Sequence, residues 1–129
     1  MKIAILWGIV FGTLQGIISL IVASAFSSPD VAALACVGLL LSFALTIACS
    51  LTGAIHAKAF VPGFIAGVIA TGIDVAAGLI GYLISPAMLD LGLLANVFSF
   101  AFSIGVGILL SAVGAGVGVF FNRQILNKT

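Results

Sequence analysis

Four apolar stretches, at about 3–26, 31–55, 64–84 and 93–121, take up nearly all of a 129-residue chain. Each reaches the roughly 20 residues an α-helix needs to cross the hydrocarbon core of a bilayer. No water is available in that medium, so a spanning segment has to satisfy its own backbone groups, as a helix does. Composition points the same way. The chain is 64% hydrophobic and 5% charged, whereas a soluble domain carries about 25% charged residues and keeps a polar surface. The expected fold is an all-α integral membrane protein: one transmembrane domain over residues 1–129, with four transmembrane helices packed through small-residue (Gly/Ser/Ala) faces. No length remains for a soluble domain.

The few charges sort by position. Lys2 precedes the first stretch, Lys58 lies between the second and third, and Arg123 and Lys128 follow the fourth. Asp30 and Asp90 occupy the other two connections. Lysine and arginine concentrate on the cytoplasmic side of membrane proteins. The expectation is therefore a multi-pass cell-membrane protein with both termini and the 56–63 loop cytoplasmic and the loops around Asp30 and Asp90 outside. Pro29, Pro62 and Pro86 fall in loops or first helical turns, where a missing N–H costs least. Trp7 and Tyr82, near opposite ends of their helices, suit interfacial anchors. Residues 1–25 also resemble a signal peptide ending in Ala23-Ser24-Ala25, but secretory apolar regions run to about 7–15 residues. The longer run here favours a retained helix.

Every stretch carries a face of small residues. The first has Gly8, Gly12 and Gly16 with Gln15 and Ser19, and the second has Gly38, Ser42, Thr46, Cys49 and Gly53. The third has Gly63, Gly67, Ala70, Gly78 and Gly81, and the fourth has Ser99, Ser103, Gly107, Ser111, Gly114 and Gly118. Lipid tails are as apolar as leucine, so helices associate in a bilayer where small residues let backbones approach. These faces imply a compact bundle or an oligomer of hairpins.

One residue breaks the pattern. Asp74 is the only charged residue inside any of the four stretches, and it stands at the midpoint of 64–84. A carboxylate at that depth costs roughly 2.5–3.5 kcal/mol on insertion scales, and such residues mark ion or proton sites by default. The structural alternative is a protonated acid donating one interhelical hydrogen bond, worth about 0.6 kcal/mol on average. That return does not offset the insertion cost. Candidate partners at similar depth are Gln15 first, then Thr46 on the second helix and Ser103 or Ser111 on the fourth.

Several chemistries lack their residues. No nucleophile–base pair or second carboxylate accompanies Asp74, so an enzyme is not expected. Cys36 and Cys49 would lie about 20 Å apart on one helix, beyond disulfide reach, and no metal or cofactor site is expected. The Gly114–Gly118 run lacks the preceding strand of a phosphate-binding turn. A net charge of +1 gives no reason to expect nucleic acid. His56 reads as an ordinary loop residue. What remains is a small transporter or channel-like protein with Asp74 as its intramembrane proton or cation site. The alternatives are a non-catalytic accessory or scaffold subunit, or a holin-like pore former. The expected partners are the lipid bilayer and either further copies of the chain or a larger membrane complex.

Overall fold

The structure, a computed structural model, describes residues 1–24, 31–84 and 93–124. They form four helices: α1 (Lys2–Ser24), α2 (Val31–Ala57), α3 (Phe60–Ile84) and α4 (Leu93–Gln124). Each contains a span long and apolar enough to cross a membrane. The fold is thus an all-α membrane protein of four helices. The expected loops around Asp30 and Asp90, the Ala23-Ser24-Ala25 site beyond Ser24, and Lys128 lie outside the described residues.

The connection between α2 and α3 is shorter than the sequence implies. In place of a 56–63 loop there are two non-helical residues, Lys58 and Ala59. The Ala59 N–H donates to Ala54 O at 3.2 Å and the Lys58 N–H to Ile55 O at 3.3 Å. Together these are the paired bonds of a Schellman cap, which satisfies carbonyls the helix would otherwise leave open. The cap requires a left-handed residue, and Lys58 supplies it with φ at 54°. α3 then restarts at Phe60, and Pro62 sits in its first turn, where no intrahelical N–H is needed. A non-glycine residue in this conformation costs roughly 1–2 kcal/mol. Lys58→Gly is accordingly expected to raise stability by about 1 kcal/mol, read as a higher midpoint of reversible unfolding in mixed micelles. A lower midpoint would contradict the cap.

The helices alternate in direction. Gly8, Gly12 and Gly16 of α1 meet Ala66, Ile73 and Ala77 of α3 in ascending order, so these two run parallel. Gly114 and Gly118 of α4 meet Ile47 and Leu51 of α2 in the same ascending sense. α2 and α3 form the central pair, with α1 and α4 on opposite flanks. The fully buried apolar residues are small: Ala4, Cys49, Ala54, Ala66, Ala70 and Ala115. Leu40, Phe98, Leu109 and Phe120 face outward, each more than 60% exposed. In water this distribution would leave large apolar area uncovered; in a bilayer, lipid covers it and backbone contact forms the core.

That contact is closest in the half nearest the Lys58 turn. A Cβ added to Gly63 would lie 2.5 Å from both Ala54 Cβ and Ser50 O, and one added to Gly114 would lie 2.6 Å from Ile47 O. At Gly67 it would overlap the hydroxyls of Ser50 and Ser111, and at Gly107 the side chain of Thr71. Toward the other end α1 and α3 stay close, with Ala23 Cβ 2.8 Å from where a Gly81 Cβ would be. Gly78 has only ordinary contact, 3.4 Å from Phe100. α2 and α4 leave space at that level, and the space is the candidate site.

Candidate functional site

Asp74 projects from the middle of α3 and is partly buried. Ser19 Oγ of α1 donates to its Oδ1 at 2.5 Å, and Ser42 Oγ of α2 donates to its Oδ2 at 2.9 Å. Behind Ser42 lies a second layer. Gln15 Nε2 donates to Ser42 O at 2.7 Å and to Thr46 Oγ1 at 2.8 Å, while the Thr46 hydroxyl donates to Ser42 O at 3.0 Å. Gln15 is completely buried. One amide therefore fixes the turn of α2 that presents Ser42, and Ser42 in turn holds the carboxylate.

This differs from the sequence expectation in its first neighbours. Gln15 lies at the depth of Asp74 but turns toward α2 and does not touch the acid. Ser19, one turn further along α1, makes the contact because helical side chains lean back toward the N-terminus. Thr46 belongs to the second layer. Ser111 is fully buried and donates to Gly107 O of its own helix at 2.6 Å, so it is not a ligand of Asp74 either. Ser103 lines the cavity beside the acid. Sequence reasoning missed Ser19 and Ser42 as direct partners, although both lie on the small-residue faces that signal a helix contact.

The cavity has a volume of about 290 Å³. Its polar lining includes Asp74, Ser19, Ser42, Thr46, Thr71 and Ser103, and its aromatic lining is Phe43, Tyr82 and Phe100. Tyr82 and Phe100 pack edge to face with centroids 6.4 Å apart. Tyr82 thus contributes to the cavity wall rather than serving solely as the interfacial anchor expected of it. Most of these residues lie in the half remote from the Lys58 turn, and Thr46 and Thr71, near the middles of α2 and α3, form the inner end of the cavity. Inward of Thr71 and Gly107 the helices close on one another at Gly67, Ser50 and Ser111.

The seam and the layers around the cavity contain unpaired groups. Among the described residues, Gln15 Oε1, Ser50 Oγ and Thr71 Oγ1 are buried without a hydrogen-bond partner. A buried polar atom left unsatisfied costs about 1–3 kcal/mol, so at Ser50 the seam is held by close packing against a polar penalty. Nothing in the sequence pattern singled out Ser50 or Thr71.

His56 sits in the last turn of α2, not in a loop. Its Nδ1 lies 2.9 Å from Thr52 O and its ring 5.4 Å from that of Trp7. Because a carbonyl only accepts, Nδ1 carries the proton. The ring lies by the Lys58 turn, at the end opposite the cavity. Asn122 Nδ2 donates to Ile55 O at 3.1 Å, fastening α4 to the same end of α2. Among the described residues no three His, Cys, Asp or Glu side chains converge as metal ligands would. Comparison with protein-family models, with curated proteins and with solved structures found no match.

Proposed function

We propose that this chain is a small membrane transporter or channel-like protein in which Asp74 is the intramembrane proton or cation site. The observation that carries the reading is the position of the carboxylate. It lines a cavity that runs from the middle of the bundle into the half remote from the Lys58 turn, and closely packed helices block the way inward from there. Carboxylates at mid-membrane depth that face the bundle interior are characteristic of ion and proton pathways.

The positive-inside pattern of Lys2, Lys58 and Arg123 orients the Lys58 turn toward the cytoplasm and the cavity toward the outside. In this arrangement a cation enters from outside and is held by ionised Asp74, and protonation of the acid releases it. Delivery to the cytoplasm requires the seam at Gly67, Ser50 and Ser111 to part. The unpaired Ser50 hydroxyl would then meet water, which offsets part of the cost of separating the helices. The test is proton-coupled cation flux in proteoliposomes. The wild-type protein is expected to dissipate an imposed pH gradient when cation is added, and the Asp74→Asn variant is not. Flux that survives the substitution would overturn the mechanism.

A further inference from the structure

The lining of the cavity narrows the kind of cation it can hold. We propose that the cavity beside Asp74 binds a small primary ammonium compound, an amine with a short hydrocarbon or aromatic tail, whose N–H groups donate to the Asp74 carboxylate. This rests on the reading of Asp74 as a cation site and specifies its occupant.

Three features lead there. An ionised carboxylate offers about four lone-pair positions. Ser19 and Ser42 fill one on each oxygen, leaving acceptor capacity on both. Ammonium N–H donors use that capacity in charge-assisted bonds. A bare inorganic cation needs several oxygens to replace its hydration shell, each pointing a lone pair at one centre. Here the two nearest hydroxyls point their hydrogens at the acid. Apart from the hydroxyls of Thr46, Thr71, Ser99 and Ser103, the wall is apolar and aromatic, with Leu39, Phe43, Val75, Tyr82 and Phe100 lining the space. Aromatic faces attract cations, and hydrocarbon wall rewards a tail. The volume, about 290 Å³, is at the lower end of the roughly 300–1,000 Å³ typical of small-molecule sites. It suits a compact amine and not an extended one.

The test is equilibrium binding to the full chain in nanodiscs, with methyl-, butyl-, hexyl- and phenethylammonium and the N,N,N-trimethyl form of phenethylammonium as probes. Affinity is expected to rise about fourfold per methylene from methyl to butyl, the return on burying each CH₂, and to level off once the cavity is full. The trimethyl compound, with no N–H to donate, is expected to bind roughly tenfold or more weakly than its parent. Asp74→Asn should weaken every amine by more than about tenfold. Val75→Phe, which fills the cavity and keeps the acid, should lose the hexyl and phenethyl compounds while retaining methylammonium.

Absence of amine binding while Asp74-dependent flux persists would overturn this inference and leave the proposed function standing. Trimethyl binding equal to that of the parent would overturn it as well. Asp74-dependent amine binding without flux would support the inference and overturn the transport reading.

Discussion

Asp74→Asn is expected to abolish coupled cation flux, bringing it to the level of protein-free liposomes, while leaving the bundle assembled. The two halves of this expectation rest on different facts. Asparagine has the size of aspartate, and the Ser19 and Ser42 hydroxyls can turn to donate to its oxygen or accept from its amide. Interhelical hydrogen bonds of this kind average about 0.6 kcal/mol, so the change in stability should stay within about 1 kcal/mol. Asparagine, however, cannot alternate between charged and neutral forms. No second acid in α1–α4 takes over, because Asp74 is the only acidic residue in the described helices. Flux and thermal stability measured on the same preparation separate the effects. A variant that loses flux only because it unfolds would appear in the melting curve.

That substitution also separates transport from an accessory-subunit role. A carboxylate kept for a partner's basic residue should be open to lipid or to the partner. Asp74 instead faces a cavity walled by side chains of its own chain, among them Phe43, Tyr82 and Phe100. If Asp74→Asn released a co-purifying protein and left flux intact, the accessory reading would replace the present one.

The second large effect is expected at Gly67. Here α3 meets α2 and α4 with no room for a Cβ, which would overlap the Ser50 and Ser111 hydroxyls. Overpacking a close-packed interior typically costs about 1–3 kcal/mol, occasionally more. Gly67→Val adds three carbons where the first of them already lies 2.7 Å from Ser111 Cβ, so turning the two hydroxyls aside does not make room. A loss of at least about 3 kcal/mol is expected, read as a large drop in the reversible unfolding midpoint. Gly116 provides the control. It lies between Gly114 and Gly118 in sequence but on the exposed side of α4, and nothing comes within 4 Å of its added Cβ. Gly116→Ala should be neutral or gain up to about 1 kcal/mol from helix propensity. Equal effects at the two positions would contradict the packing described for the seam.

The sequence made the helices legible because lipid sets a simple rule: about 20 consecutive apolar residues span, and charged residues fall in the connections between spans. It misjudged the α2–α3 connection for a reason of backbone conformation. Lysine carries no mark of a left-handed cap, and Pro62 resembles a loop residue although it belongs to the first turn of α3. The site was legible in outline only. Asp74 stood out by cost, and helical periodicity put Gln15, Ser19, Ser42 and Thr46 on inward faces. Periodicity assigns a face but not the lean of a side chain, so Gln15 was given the contact that Ser19 makes. The cavity was beyond reach, since it depends on how residues of all four helices are spaced around Asp74, and no local pattern encodes that spacing.

The most direct test of the central claim is the carboxyl infrared difference spectrum of the wild-type protein in liposomes, titrated with and without cation, with Asp74→Asn as reference. If Asp74 is a cation site, the protonation signal is absent from the variant and shifts when a cation is added, because proton and cation compete for one carboxylate. A wild-type signal that ignores every added cation would make Asp74 a structural hydrogen-bonding group and contradict the account.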